Sequence, residues 1–392
     1  MNNKKIELNN IANNNKSIII MNKENKENKE NKENKENKEN KISKKVLGQF
    51  YTTNHEYILQ GIKIPDNIKN IIEPFTGNGD LITFIESEQE KNKVKYNIEC
   101  YDIDPKKNNI IKKDTIKNPP NYTNKYLITN PPYLARNKSK DKSLFDKYGV
   151  NDLYKCVIKD ILTNICLGGI FIIPLNFWSS IRIADIELRK LFLEKYNVIL
   201  LNIFEEQVFD DTTYTICSFQ FELKINKNKN KLNIIIYPSK TNIKTELNDD
   251  NNFMIGGDIY NLKINNTYKI TRLTKKNKSK SNTNILVKCI DDNINSQIGL
   301  SFVNNDKDIY IDDTPKQTAR TYATLIIEPK IEKTKQKQLI TKFNKYLEEH
   351  RKKYNSLFLT NYRESKDIAR KRISFDLVYS ITAYILENFD NI

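Results

Sequence analysis

Histidine is nearly missing from this 392-residue chain, which holds only His55 and His350. The five cysteines, Cys100, Cys156, Cys166, Cys217 and Cys289, stand far apart and form no C-x-x-C pair. So sparse a set of ligands argues against a zinc site, and the shortage of imidazole argues against histidine catalysis. Cysteines scattered through apolar runs read as reduced core residues of an intracellular protein. A secretory N-terminal pattern is missing too, which adds to that expectation. The longest apolar run, Ile165 to Trp178, is too short to span a bilayer and is interrupted by Gly168, Gly169 and Pro174. No metal and no membrane partner are therefore expected.

What is abundant is positive charge. The chain carries 65 Lys+Arg against 49 Asp+Glu, a formal net charge of +16. Such an excess favours an anionic partner, most simply nucleic acid. The chain is also crowded with Asn, Lys and Ile, as an AT-rich genome would produce, so the charge only supports that reading. The length allows two domains. Residues 1–43 read as a tail: from Asn22 the triplet Asn-Lys-Glu repeats six times with no apolar position, and such a segment has nothing to bury. Residues 44–225 read as one domain. Asn226 to Lys231 is a polar linker, and residues 231–392 read as a second, α+β domain.

In the first domain, strand-like and helix-like segments alternate. Strands are expected at Ile68 to Phe75, Tyr96 to Ile103, Asn109 to Asp114, Lys125 to Thr129 and Ile170 to Leu175. Helices are expected at Asp80 to Lys91, Asn151 to Leu167 and Ile183 to Tyr196. Val198 to Phe204 and Tyr214 to Leu223 follow as strands with no helix between them. This pattern predicts an α/β fold, a doubly wound and mainly parallel sheet with an antiparallel edge. The second domain shows short strand-like runs, from Leu232 to Tyr237 onward, then helices at Lys335 to Tyr354 and Glu364 to Glu387.

Asn130-Pro131-Pro132-Tyr133 is the most informative tetrapeptide. It ends the apolar run Tyr126 to Thr129, and open α/β sheets bind ligands beyond the carboxyl ends of their strands. Two prolines donate no backbone hydrogen bond and stiffen the loop, while their carbonyls stay available as acceptors. An Asn oxygen plus a proline carbonyl can hold both hydrogens of an exocyclic amine, and Tyr133 offers a flat face to a planar ring. A second feature is Glu73-Pro74-Phe75-Thr76-Gly77-Asn78-Gly79-Asp80, which reads as strand, glycine turn and helix start. The third glycine of the dinucleotide fingerprint is missing, which counts against NAD. Asp102, at the end of the next strand, can accept both ribose hydroxyls of an adenosine. Asp114 stands at the following strand end, where an acid can reach an adenine amino group.

The ordered set of Gly48-Gln49-Phe50-Tyr51-Thr52-Thr53, Glu73 to Gly79, Asp102-Ile103-Asp104-Pro105 and Asn130 to Tyr133 resembles gamma-class DNA N6-adenine methyltransferases. The likeness looks closest to the enzymes of large algal viruses. It continues through Glu206-Gln207-Val208-Phe209-Asp210-Asp211-Thr212 to Phe358–Glu364 and Ala369–Leu377. The resemblance implies a Rossmann-like S-adenosylmethionine-dependent fold with a C-terminal target-recognition domain and double-stranded DNA as substrate. It further implies that Thr52 touches the methionine end of the cofactor, that Glu73, Gly77 and Gly79 line its amino-acid part, and that Ile103 lies against its adenine. Phe209 and Phe50 would press on the two sides of a flipped target adenine. A palindrome such as TCGA is a conceivable site. A companion restriction endonuclease and a monomeric state complete the expectations.

Other readings share these residues. N-P-P-Y also occurs in methyltransferases of RNA and of protein glutamine, although the segment Gly48–Thr53 and the long C-terminal part favour the DNA reading. Asp313 with Glu328-Pro329-Lys330 loosely mimics a nuclease pattern. A non-catalytic nucleic-acid binder is the remaining alternative.

Overall fold

The apolar runs at Asn70–Glu73, Tyr126–Thr129 and Gly168–Pro174 become three neighbouring strands of one sheet. The computed structural model describes residues 52–209, 214–226, 229–277, 282–290, 298–312, 321–364 and 369–391. The expected tail, Phe50, Asp210-Asp211-Thr212 and Asp313 lie outside the described residues.

Strands β1 (Asn70–Glu73), β2 (Asn97–Asp102), β3 (Ile111–Lys112), β4 (Tyr126–Thr129) and β5 (Gly168–Pro174) are followed by β6 (Tyr196–Phe204) and β7 (Ile216–Leu223). Then come β8 (Asn230–Tyr237) and β9 (Thr241–Leu247). All nine share one sheet in the order β3-β2-β1-β4-β5-β7-β6-β8-β9. β1 to β5 pair in parallel with their neighbours, and β7 is inserted antiparallel between β5 and β6. That order is the doubly wound, mainly parallel Rossmann-like sheet, but the antiparallel strand expected at its edge lies inside: β7 sits between β5 and β6, and β8 and β9 extend the sheet beyond them.

Helices α1 (His55–Ile58), α2 (Asp80–Asn92), α3 (Ser143–Tyr148) and α4 (Leu153–Thr163) are joined by α5 (Asn176–Ser179) and α6 (Ile183–Lys195). Among the described residues, Ile71, Ile72, Leu127, Ile128 and Ile170–Ile173 are all buried, as strands covered on both faces must be. β5 starts where three backbones converge. A Cβ on Gly169 would stand 2.2 Å from the Leu127 carbonyl oxygen, so only glycine lets β4 and β5 meet there.

The expected domain boundary at 226–231 falls inside this sheet. Leu201 to Phe204 of β6 pair in parallel with Ile234 to Tyr237 of β8, and β8 continues into β9 by an antiparallel hairpin. Leu232, Ile234 and Ile236 alternate on the buried face and join the first core. The polar stretch is thus a connection within the sheet, because composition marks a loop and not the destination of the next strand.

Beyond it, β10 (Lys269–Arg272), β11 (Asn282–Lys288), β12 (Gly299–Phe302) and β13 (Tyr322–Glu328) form an antiparallel sheet in the order β10-β13-β11-β12. Helices α7 (Lys333–Tyr354) and α8 (Phe375–Glu387) bury Leu339, Phe343, Leu347, Leu377, Val378 and Ile381 in a second core with Ile285, Val287 and Leu325. The helix expected from Glu364 begins only at Phe375. Before it, β14 (Thr360–Glu364) and β15 (Ala369–Arg372) pair antiparallel. The Ser374 side chain accepts from the Leu377 N–H at 3.2 Å, an N-cap that fixes the start of α8. The basic run Arg370-Lys371-Arg372 therefore lies on a strand and not on a helix face.

Candidate functional site at the carboxyl ends of β1, β2 and β4

β4 is buried along its whole length and stops where Pro131 and Pro132 withdraw their N–H groups. Asn130 follows directly and is 9% exposed. Its Nδ2 donates to the Thr52 hydroxyl at 3.0 Å, so the segment ahead of α1 is brought onto the end of β4. The Tyr133 hydroxyl lies against Asn130 Oδ1 and, at 2.7 Å, the Ile172 carbonyl of β5. A phenol has one proton to give, so it serves one of these acceptors at a time. The Asn130 amide is held on both sides.

The flat face expected of Tyr133 is enclosed. The ring is 2% exposed and stands edge-on to Tyr154, 6.3 Å away, and to Tyr214, 6.4 Å away. Burial holds its phenol well above the usual range. In this arrangement its hydroxyl, and not its face, meets the site.

At the end of β1, Glu73 is completely buried. Its Oε1 accepts the Phe75 N–H and the Thr129 hydroxyl, each at 2.9 Å. Its Oε2 is buried and has no hydrogen-bonding partner among the described residues. Desolvation pushes the carboxyl up to about 8, against the pull of those two hydrogen bonds, and the nearby Asp102 charge adds to the rise. The turn that follows needs glycine at both Gly77 (φ 54°) and Gly79 (φ 87°). Asp102 Oδ2 accepts the Gly77 N–H at 2.7 Å, and Oδ1 accepts the Asp104 N–H at 2.8 Å. The carboxylate thus ties the glycine turn of β1 to the end of β2. A carboxylate has about four lone-pair sites, so acceptor capacity remains for a diol. Beside it Ile103 is 41% exposed, an aliphatic surface open to a flat ring. Asp114 Oδ1 accepts the Lys117 N–H at 3.1 Å, and Lys117 Nζ stands 3.7 Å from Oδ2. Asp114 lies two residues beyond β3, not at its end, and shapes the turn that follows.

Phe209, expected to stack on a target base, is 5% exposed and packs into the first core. Its partner on the other side of that base, Phe50, lies outside the described residues.

Sequence reasoning missed several supporting groups. Asp152, 8% exposed, accepts the Leu134 N–H at 3.0 Å and so anchors the loop just after the tetrapeptide. Burial pushes its carboxyl up to about 6. Lys155 is buried and makes an ion pair with Asp185 at 2.5 Å, and it also reaches Asn151 Oδ1 at 2.8 Å. The Tyr57 hydroxyl donates to Glu206 Oε1, and Asn355 donates to Glu205 Oε1 at 3.0 Å. The loop after β6 is therefore tied both to α1 and to the end of α7. The one available signal was Asp152 itself, an acid directly ahead of an amphipathic run.

No protein-family model matches the sequence, and no curated protein matches it. Solved structures of partly similar backbone include a type I restriction-modification methyltransferase subunit from Streptococcus thermophilus. It is 13% identical with a TM-score of 0.36, over 51% of this chain and 51% of that one. The M protein of the type I restriction enzyme EcoKI is 12% identical with a TM-score of 0.34, over 48% of each chain. DrdV, solved with DNA, is 14% identical with a TM-score of 0.40, over 62% of this chain and 36% of that one. This chain spans about half the length of the type I subunits it matches. Likenesses so partial carry no functional argument, and the site's own geometry has to supply one.

Proposed function

We propose that the chain is an S-adenosylmethionine-dependent methyltransferase that modifies N6 of adenine in double-stranded DNA. The observation that carries this reading is the Asn130 amide, fixed at the end of β4 beside Thr52 and two strand ends away from Asp102.

The strand ends fit the cofactor chemically. An orphaned, buried Glu73 Oε2 can meet an amino-acid ammonium, which would draw that carboxyl back toward its charged form. The Gly77–Gly79 turn leaves a backbone that a ligand can approach closely. Asp102 retains lone pairs for a ribose, and Ile103 offers apolar surface to an adenine. When bound, the cofactor would supply an electrophilic methyl group.

The chain's own contribution is positioning. Asn130 Oδ1 and the Pro131 carbonyl are acceptors fixed by a loop that cannot flex freely. Accepting both N–H hydrogens of an exocyclic amine favours a pyramidal nitrogen, whose lone pair then points away from the ring. An amide is no strong base, so the proton leaves the nitrogen for water after transfer. Target adenine must leave the duplex to reach this depth, at a cost of roughly a few kcal/mol. The enclosed Tyr133 and Phe209 imply that these side chains shift if they stack on it. The +16 charge supports binding of a polyanion.

The test is incubation with isotopically labelled S-adenosylmethionine and unmethylated plasmid DNA, followed by digestion and mass spectrometry of the nucleosides. Label in N6-methyladenine supports the reading. Label in N4-methylcytosine keeps the fold chemistry and rejects the base. Label only in RNA or in protein glutamine moves the chain to one of those substrate classes.

A further inference from the structure

Ile183 is 75% exposed and Ile181 is 41% exposed, and Arg182 between them is exposed as well. Two branched aliphatics flanking a cation on one short turn are an unusual use of surface. The topology gives the turn's location. β5 runs parallel to β4, and its carboxyl end at Pro174 lies on the same edge of the sheet as Asn130. β6 is also parallel to β5, since both are antiparallel to β7. α6, which connects them, therefore runs back along the sheet, and its first residue, Ile183, stands at the carboxyl edge. The turn shares the rim on which the candidate site opens. The loop after Tyr133 lies on that rim too, with Lys138, Lys140 and Lys142 exposed.

The turn is held rigidly from below. Ser180 Oγ donates to Asp185 Oδ2 at 2.6 Å, and Asp185 Oδ1 pairs with the buried Lys155. Arg189, completely buried, donates to the carbonyls of Phe177 at 2.8 Å, Ser180 at 2.8 Å, Phe253 at 3.0 Å and Asn252 at 3.2 Å. Lys155 also reaches Asn151, whose carbonyl accepts the Arg136 N–H at 2.9 Å. One buried polar network thus fixes both the loop after the tetrapeptide and the base of the aliphatic turn. Buried charges are costly to desolvate. Spending them beneath an exposed apolar tip makes sense if the tip has to hold its place against something.

We propose that Ile181 and Ile183 form an apolar wedge that enters duplex DNA at the step vacated by the extruded nucleotide, with Arg182 on the adjoining phosphate. This inference rests on the methyltransferase reading above. Inserted aliphatic side chains unstack base steps and hold the distorted duplex open. Arg182, exposed between the two isoleucines, is the cation the turn itself offers to a phosphate, and the exposed Asp141 lies among the lysines of the neighbouring loop.

The test compares wild type with the Ile181→Ser/Ile183→Ser double variant after the wild-type target base has been mapped. Both side chains are exposed, so the melting temperature should stay as it is, and it is measured. Methyl transfer is followed on a 30-base-pair duplex with the target base correctly paired and on the same duplex with the target opposite an abasic site. Unpairing removes much of the extrusion cost. The double variant should lose about tenfold or more in kcat/KM on the paired duplex and stay within about twofold on the other. Equal losses on both duplexes, or no loss on either, overturn the wedge. So does wild-type self-association in sedimentation that the variant abolishes, because the pair would then dock a second copy. A wild-type protein that methylates no DNA overturns the methyltransferase reading, and the wedge with it, before any variant is compared.

Discussion

The side-chain amide of Asn130 donates to the Thr52 hydroxyl at 3.0 Å across 78 positions of sequence. Both groups are buried, so water cannot replace the contact. Thr52→Val keeps the shape and leaves an amide N–H without its partner, at about 1–3 kcal/mol. Turnover should fall about tenfold, Thr52→Ser should restore most of it, and Asn130→Ala should abolish transfer while cofactor affinity stays within a few-fold. Steady-state kinetics on the three variants checks this, and a fully active Thr52→Val would break the link between Thr52 and the amide's orientation.

Tyr133 gives a sharper contrast. Its ring is enclosed by Tyr154 and Tyr214, while its hydroxyl meets Asn130 Oδ1 and the Ile172 carbonyl. Tyr133→Phe keeps the ring and removes only that hydroxyl, a loss of about 1 kcal/mol or somewhat more. We expect kcat to drop roughly five- to tenfold at unchanged KM for DNA. Wild-type turnover in Tyr133→Phe would show that the ring alone matters.

These two contacts mark what the sequence can and cannot convey. The succession of strands along the chain and the placement of Glu73, Asp102 and Asn130 at strand ends follow from apolar runs cut by turn residues, which is local information. Which way the Tyr133 ring faces depends on Tyr154 and Tyr214, which arrive from elsewhere in the chain. The same holds for β8: the alternation of Leu232, Ile234 and Ile236 announces a strand, but its pairing with β6 rests on a neighbour that composition does not name. The helix expected over Glu364 to Glu387 starts only at Phe375, because Ala369–Arg372 pair with Thr360–Glu364, a partnership that local sequence does not announce.

Glu73 should leave a mark on stability. Its carboxyl is ordinary at 4.5 and is raised to about 8 in the fold. The folded state therefore keeps a proton that the unfolded chain releases between these values. The stability this contributes is complete below pH 4.5 and is lost as pH climbs through 8. The slope cannot exceed one proton, about 1.4 kcal/mol per pH unit. Asp152, raised from 3.8 to about 6, adds to the decline in the lower part of that window. Chemical denaturation of the cofactor-free protein from pH 5 to 8.5 should show Glu73→Gln flattening the fall above pH 6. Parallel curves for the two proteins would mean that Glu73 ionises normally.

Asp102 joins two roles that one substitution can separate. Both of its oxygens already accept backbone N–H groups, from Gly77 at 2.7 Å and from Asp104 at 2.8 Å. Replacing it with Asn keeps one acceptor oxygen but turns an NH2 toward the second N–H, so one of the two bonds must be lost. The glycine turn should loosen and the lone pairs offered to a ribose should halve. Losing a charge-assisted hydrogen bond costs about 1.5–3 kcal/mol, roughly a tenfold to hundredfold loss of affinity. Calorimetry with S-adenosylhomocysteine should show that loss for Asp102→Asn and at least as large a loss for Asp102→Ala. DNA affinity measured without cofactor should barely change, since Asp102 is 5% exposed and has no surface to give a phosphate. If Asp102→Ala binds S-adenosylhomocysteine as tightly as wild type, the ribose contact belongs to another acid, and Asp102 serves only to hold the turn between β1 and α2.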